Sequence, residues 1–273
     1  SKADQYLFQT NYIDKILILE RDSNNYSRHD GFLGSFNLIK DLKKYNFDKI
    51  FIFNSSLRFN LIARFSNIPN IYQYPLFNKN KQHIIDTPKK FLKNKLDIDV
   101  NEDPNIQISD ELISEATKKF QINKNELNIL MGIGGSGPTK RIPSRIFLEI
   151  MDKTLKLKKC KFFLATGKNT EEQIILNEIL STKYKNFCVP LDKFSIKETL
   201  PIIKNCNLSI CNDSSFSHLS AALGIKTITL MADTPLIYGN YSSNMFPILP
   251  DGEEIVSHNT LGKEKINSEK IFN

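Results

Sequence analysis

The sequence contains a glycine-rich segment whose residues could bind phosphate groups. Gly134–Arg141 reads Gly-Gly-Ser-Gly-Pro-Thr-Lys-Arg and lies between an apolar run and a stretch of helical length. Glycines let the backbone approach a ligand closely, and cationic side chains beside exposed amides favour phosphate charge. The segment is not a Walker loop, because Pro138 and Thr139 separate Gly137 from Lys140. The side chains that we predict at this diphosphate site are Ser136, Thr139, Lys140 and Arg141.

A second polar segment follows another apolar run. Asn212-Asp213-Ser214-Ser215 precedes a predicted helix that is rich in small residues and contains His218. Hydroxyls and backbone N–H groups at a helix N-terminus favour an anion. Ligands of doubly wound sheets bind beyond the carboxyl ends of the strands, so we expect the two segments to form one crevice.

A third loop between a strand and a helix is predicted at the same edge of the sheet, beyond the carboxyl ends of the strands. Ala165–Glu172 reads Ala-Thr-Gly-Lys-Asn-Thr-Glu-Glu, and Glu171 could receive the hydroxyls of a ribose. The alternative is that these acidic residues only complement the positive end of the helix dipole.

The first two motifs also have structural alternatives. The glycine-rich segment could be a flexible turn that carries a solvated Lys-Arg pair. Asp213 or Ser214 could merely cap the helix that follows, with His218 packed within it.

These motifs require a sheet whose strands end at a common edge. Short apolar runs alternate with amphipathic stretches of helical length, which predicts parallel sheets covered by helices. In the second half we predict strands at Asn128–Gly132, Phe162–Thr166, Phe187–Val189, Leu208–Cys211 and Thr227–Met231. In the first half we predict strands at Ile16–Leu19, Lys49–Phe53 and Asn70–Tyr74, and loops with a short helix over residues 78–108. The predicted class is α/β with two doubly wound domains, residues 1–123 and 124–273, joined at the polar segment 123–126.

The positive net charge favours anionic partners but does not distinguish between them. The 273 residues have a formal net charge of +7, with lysines scattered along the chain. This balance suits a nucleotide diphosphate, an anionic lipid surface or nucleic acid. None of the 4 cysteines has CxxC spacing, so we expect a reduced cytoplasmic setting and no metal site. No apolar run approaches the roughly 18 residues of a membrane span.

At these segments the chain resembles the family 9 glycosyltransferases, the ADP-heptose:lipopolysaccharide heptosyltransferases. The resemblance rests on Thr139–Pro143 and on Asp213–Gly224, which match the family motifs in order, residue type and separation. Ser215 stands where the family has a glycine. Weaker similarity covers the first half, so the resemblance spans nearly the whole chain and is specific in the second half.

The resemblance implies a GT-B fold, in which two Rossmann-like domains face a cleft. Residues 1–123 would form the acceptor side and residues 124–273 would bind the donor. Lys140 and Asp213 are the catalytic residues it implies, with Lys140 stabilising the departing diphosphate. Asp213, Ser214, Ser215 and His218 would frame the donor, Glu171 would bind its ribose, and Arg58 would face the acceptor.

The implied reaction is an inverting displacement that moves a heptose-like sugar from an ADP-sugar to a lipopolysaccharide core or related bacterial envelope glycan. It implies no cofactor and no metal. The expected partners are the nucleotide-sugar and a glycolipid or glycan acceptor, and nucleic acid is not expected. The protein would be a monomer that contacts the inner face of the cytoplasmic membrane peripherally. The family begins with a strand and a Gly-Asp turn whose Asp is the candidate base. We find no equivalent here, so the predicted first domain is incomplete and no base is assigned.

Two other classes of function remain as alternatives. A nucleotide-sugar binding protein without transfer activity would explain a missing base. A Rossmann-type binder of nucleic acid or a dinucleotide is disfavoured by the scattered charge and by the lack of a GxGxxG motif.

Overall fold

A computed structural model describes residues 3–10, 12–21, 27–76 and 84–272. The chain divides into two units. The first unit is Asp14–Asn101, and the second unit combines Lys2–Ile13 with Glu102–Asn273. Both units contain parallel strands connected through helices, which confirms the predicted α/β class.

Within its described residues, the first unit has two parallel strands with helices on either side of them in the sequence. The strands pair in register from Lys49 with Asn70 to Ile52 with Gln73. Aromatic rings extend this contact, since the centroids of Phe51 and Tyr72 lie 5.1 Å apart in a stacked arrangement. The elements are β1 (Lys49–Ile52), β2 (Asn70–Gln73), α1 (Gly31–Lys43), α2 (Leu57–Phe65) and α3 (Asp86–Leu96).

The apolar run Ile16–Leu19 is not a strand, so this prediction is wrong. Leu17 and Ile18 are 45% and 51% exposed. After the run, the backbone N–H of Glu20 donates to Nδ1 of His29 at 3.0 Å, and the N–H of His29 donates to the Glu20 carbonyl at 3.0 Å. An apolar run becomes a strand only where a neighbouring strand accepts its backbone hydrogen bonds. Here the chain bonds to the segment before α1 instead.

The second unit contains the longer sheet, and the strands predicted for it are confirmed. Within the described residues, six parallel strands lie in the order β5-β4-β3-β6-β7-β8. After β3, the chain adds β4 and then β5 on one side of it. It then crosses to β6 on the other side of β3, and β7 and β8 follow beyond β6. Neighbouring β3 and β6 therefore form the switch point, where doubly wound sheets bind ligands. The strands are β3 (Leu127–Gly132), β4 (Cys160–Ala165), β5 (Cys188–Pro190), β6 (Leu208–Asn212), β7 (Thr227–Leu230) and β8 (Met245–Ile248).

Helices cover both faces of this sheet. In α5 the buried residues Ile146, Phe147, Ile150 and Met151 recur at helical spacing and pack on one face, while Leu200 and Ile203 of α7 pack on the other. The helices are α4 (Asp110–Lys119), α5 (Ser144–Leu157), α6 (Thr170–Leu180), α7 (Ile196–Lys204) and α8 (Ser215–Ala222). Over the described ranges, no helix combines the length and the apolar character that crossing a bilayer requires.

The boundary between the units lies earlier in the chain than the boundary predicted at residue 123. Helix α4 belongs to the second unit, because it bonds to the end of α7. Asn205 donates an amide hydrogen to the Ile113 carbonyl at 3.0 Å, and the Thr117 hydroxyl donates to Oδ1 of Asn205 at 2.9 Å. The polar segment that we interpreted as a hinge is a turn, in which the Asn125 N–H donates to the Asn123 side chain at 2.9 Å.

We predict that Gly132→Ala destabilises the second unit. A Cβ at Gly132 would lie 2.8 Å from Cβ and 2.7 Å from Sγ of the fully buried Cys211 on β6. Overpacking of this kind costs about 1–3 kcal/mol, measured as the free energy of unfolding in urea.

Gly137→Ala is the matched control. Its added Cβ would lie 3.9 Å from Oγ1 of Thr139, an ordinary van der Waals distance, so we expect a change within about 0.5 kcal/mol. Equal stability of the Gly132→Ala variant and the wild type would contradict the close contact between β3 and β6.

Candidate functional site

The two polar segments identified in the sequence meet at the carboxyl ends of β3 and β6. Nζ of Lys140 lies 2.8 Å from Oδ2 of Asp213. Asp213 is buried, with 5% of its side chain exposed, whereas 25% of the Lys140 side chain is exposed. Because β3 and β6 are neighbours, with Gly132 paired to Cys211, the two following loops begin side by side. The two segments that we expect to form one crevice are thus joined by an ion pair.

The glycine-rich loop is held in a defined conformation by side chains beneath it. Nδ2 of Asn212 donates to the carbonyls of Ile133 and Gly134, at 2.9 and 3.2 Å. Nη1 of Arg141 donates to the Gly135 carbonyl at 3.1 Å. Arg141 is itself buried, so its guanidinium supports the loop from within. The interpretation of this segment as a loose turn with a solvated Lys-Arg pair therefore does not fit Arg141.

Two successive glutamates at the start of α6 have different environments. The Glu171 carboxylate is 66% exposed and forms an ion pair with Arg141. Glu172 is buried, and its Oε1 accepts the Gly135 N–H at 2.7 Å. A Cβ at Gly134 or at Gly167 would clash with this carboxylate, so both glycines leave room for it.

Sequence analysis selected Glu171 and did not identify Glu172 as a site residue. Both lie in the first turn of α6, where Asn169 caps the helix by accepting the Glu172 N–H at 2.9 Å. The choice between adjacent residues depends on where the helix begins. The signal that could have found Glu172 is the pair of glycines that faces it from two loops.

The N-terminus of α8 lies next to the ion pair. Ser214 occupies the N-cap position, but its side chain makes no capping hydrogen bond. Its Oγ is buried and has no hydrogen-bond partner within the described part of the chain. The interpretation of Ser214 as a simple capping residue is therefore not supported. Ser215 is exposed at the first helical position, where backbone N–H groups have no acceptor within the helix.

His218 lies on the same helix and connects the ion pair to a residue that the sequence did not reveal. Its Nε2 lies 3.8 Å from Oδ1 of Asp213, and its Nδ1 lies 2.6 Å from the Tyr241 hydroxyl. Burial lowers the pKa of His218; the Asp213 charge opposes this shift and the Lys140 charge adds to it. Burial, with the nearby charges of Asp213 and Asp103, raises the pKa of Tyr241 to about 12. Tyr241 belongs to no recognisable motif, and only the fold brings it to His218.

The remaining predicted residues are placed as follows. Ser136 is exposed and Thr139 is half-buried, both in the glycine-rich loop near Lys140. Arg58 belongs to the first unit, where its guanidinium donates to the Ser35 hydroxyl at 2.9 Å and to the His29 carbonyl at 2.7 Å. These bonds hold the start of α2 against the start of α1.

Sequence comparison identifies relatives of this chain. The family model of glycosyltransferase family 9 (heptosyltransferase) matches residues 35–264. The chain is also similar to lipopolysaccharide heptosyltransferase 1 of Campylobacter coli, with 28% identity over 160 residues. That alignment covers 57% of this chain and 46% of the relative, so the matched part spans less than half of the relative's length.

Solved structures share the fold. A family 9 glycosyltransferase from Veillonella parvula superposes with a TM-score of 0.77 at 17% identity, over 99% of this chain and 84% of that chain. E. coli ADP-heptose lps heptosyltransferase II superposes with a TM-score of 0.65 at 18% identity, over 87% of this chain and 78% of that chain. E. coli heptosyltransferase WaaC with ADP superposes with a TM-score of 0.62 at 12% identity, over 87% of this chain and 75% of that chain. These likenesses confirm the predicted GT-B type of α/β fold, and the match over residues 35–264 shows that the chain belongs to glycosyltransferase family 9.

Proposed function

We propose that the second unit binds the diphosphate of a nucleotide-sugar for a glycosyltransfer reaction. The observation that carries this proposal is the Lys140–Asp213 ion pair, 2.8 Å long, beside the N-terminus of α8. A cation and helix amides at the switch point of a doubly wound sheet suit an anionic ligand. Because the chain belongs to this family, the sugar that we expect it to transfer is heptose-like.

Uncompensated polar atoms near the ion pair support a polar ligand at this site. Among the described residues, eight side-chain atoms are buried without a hydrogen-bond partner, and three of them, Oγ of Ser214, Oδ1 of Asn212 and Oγ1 of Thr166, lie in the segments of this site. Buried polar atoms without partners are rare in native proteins, because leaving them unpaired costs about 1–3 kcal/mol each. These three atoms lie at or just beyond the carboxyl ends of β4 and β6. Phosphate oxygens could accept from the hydroxyls of Ser214 and Thr166, and a ribose hydroxyl could donate to Oδ1 of Asn212.

ADP is the proposed nucleotide, because a related E. coli structure contains it and another relative is described as an ADP-heptose transferase. In the proposed inverting reaction, an acceptor hydroxyl attacks the anomeric carbon while the bond to the diphosphate breaks. The bonding electrons leave with ADP, and the hydroxyl proton passes to a base that we do not assign. Lys140 and the amides of α8 would stabilise the negative charge that builds on the leaving diphosphate. Asp213 would hold Lys140 in place.

In this proposal the cation is supplied by Lys140 and the reaction uses no metal or other cofactor. The exposed carboxylate of Glu171 is the proposed ribose ligand, with Ser136 and Thr139 beside the phosphates. The acceptor is a lipopolysaccharide core or related envelope glycan, on whose side we place Arg58. We further propose that the protein works as a monomer at the inner face of the cytoplasmic membrane.

Binding of ADP tests the diphosphate site. The thermal midpoint of the chain is measured with ADP, ADP-sugars, UDP, GDP and AMP, since AMP lacks the second phosphate that Lys140 would contact. A ligand at 100 times its dissociation constant should add about 2.7 kcal/mol of stability. We expect stabilisation by ADP and ADP-sugars and a much smaller effect of AMP. No response to any nucleoside diphosphate would refute the site, and an equal response to AMP would refute the diphosphate contact.

The two adjacent glutamates should respond differently to substitution. Glu172→Ala leaves the Gly135 N–H without its acceptor, so we expect a loss of about 1–3 kcal/mol in the free energy of unfolding. Glu171→Ala removes an exposed carboxylate that pairs with the buried Arg141 guanidinium, so stability should fall by about 1 kcal/mol or less, which is less than in Glu172→Ala. If Glu171 binds the ribose, its loss should weaken ADP binding roughly tenfold in calorimetric titration.

Each glutamate variant is the other's control. An unchanged ADP affinity in Glu171→Ala would remove Glu171 from the proposed ribose site. If Glu172→Ala lost ADP binding at undiminished stability, the role of ribose ligand would pass to Glu172.

A further inference from the structure

Tyr241 is the residue of the candidate site that neither a motif nor the proposed reaction explains. Its ring stacks on that of His218, with centroids 5.6 Å apart and an angle of 12° between the planes. Its hydroxyl lies 2.6 Å from Nδ1 of His218. The contact joins α8 to the segment between β7 and β8, far apart in sequence.

The surroundings of His218 determine which ring nitrogen should carry the proton. Nε2 faces the Asp213 carboxylate, with Oδ1 at 3.8 Å. A carboxylate on this side favours a proton on Nε2, which leaves the lone pair of Nδ1 free to accept a hydrogen bond. The Tyr241 hydroxyl is positioned to donate that bond.

Tyr241 retains its own proton in this environment. Burial raises the pKa of its hydroxyl to about 12, and the charges of Asp213 and Asp103 act in the same direction. Among the described residues, the charged groups that act on the His218 ring are Asp213 and Lys140. A phenol that stays protonated can serve as a permanent donor to Nδ1.

The segment that carries Tyr241 is held by Asp103. Oδ2 of Asp103 accepts hydrogen bonds from the Ser242 hydroxyl at 3.0 Å, from the Ser243 N–H at 2.9 Å and from the Ser243 hydroxyl at 3.0 Å. Three bonds to one carboxylate oxygen fix the backbone immediately after Tyr241. The chain that carries the Tyr241 ring is therefore anchored directly after this residue.

We propose that Tyr241 is a positioning residue that donates to Nδ1 of His218 and thereby keeps an uncharged Nε2–H directed to the side where Asp213 and Lys140 lie. The imidazole then offers one neutral donor to a phosphate oxygen beside the cation of Lys140. This inference rests on the proposed diphosphate site. A hydrogen bond to the neutral ring disfavours its protonation, so loss of the hydroxyl should raise the pKa of His218.

The test follows the His218 ring directly, by nuclear magnetic resonance of the whole chain with 15N-labelled histidine. The chain has 4 histidines, and His218→Gln assigns the relevant signal. Tyr241→Phe keeps the ring and removes only the hydroxyl. We expect the His218 titration midpoint to rise by roughly half to one pH unit, because one hydrogen bond is lost, and we expect the two neutral tautomers to mix.

Tyr238→Phe is the matched control, because Tyr238 lies in the same segment but contacts His258, with ring centroids 6.1 Å apart. It should leave the His218 titration unchanged. An unchanged midpoint and tautomer in Tyr241→Phe would overturn the inference, whatever the affinity for ADP.

ADP binding distinguishes failure of the inference from failure of the proposed function. With the site intact, Tyr241→Phe should raise the dissociation constant of ADP roughly two- to tenfold, as expected for one hydrogen bond. Unchanged ADP affinity with an altered His218 titration would overturn the role of His218 as a phosphate donor. No ADP binding by the wild type would refute the proposed function, while the titration would still decide the role of Tyr241 towards His218.

Discussion

The ion pair between Lys140 and Asp213 joins the two loops on which the candidate site depends. Asp213 is 5% exposed, and a carboxylate at this depth without a cation would be strongly destabilising. The partners come together because β3 and β6 are neighbours at the switch point of the sheet. The fold therefore places a partly exposed cation beside the N-terminus of α8, and the buried carboxylate keeps it there.

The other donors of the site are also held in place by the second unit. Asn212 and Glu172 fix the backbone of the glycine-rich loop, and α8 presents its first amides next to Asp213. Donors that are oriented in advance need no rearrangement when charge develops on a leaving group, which is the main source of electrostatic catalysis. A rigid arrangement of a cation and neutral donors around a diphosphate is what the proposed transfer requires.

The sequence predicts five of the six described strands of the second unit, because they are short, mostly apolar runs between stretches of helical length. The sixth, β8 (Met245–Ile248), is missed, and it contains Pro247, which is unusual in a strand. Asp213 directly follows one such run, and Lys140 lies in the glycine-rich loop that follows another, so both could be predicted from the sequence. Ile16–Leu19 is also a short apolar run, but it pairs with no strand in the described part of the chain, and pairing is a property of the fold. The sequence does not show which of Glu171 and Glu172 faces the glycine-rich loop, because this depends on the residue at which α6 begins. Tyr241 reaches the site only through contacts between segments distant in sequence.

The central claim is that the positive charge of Lys140 stabilises the diphosphate, and the most direct measurement compares Lys140→Met with Lys159→Met. Lys159 forms a more exposed ion pair with Glu126, 2.6 Å long, next to the amino end of β4 and therefore at the opposite end of the strands. We predict that Lys140→Met weakens ADP binding at least tenfold and lowers the rate of ADP release from an ADP-sugar in the presence of acceptor by about 10²–10³, while Lys159→Met changes neither. Wild-type ADP affinity and turnover in Lys140→Met would contradict the claim.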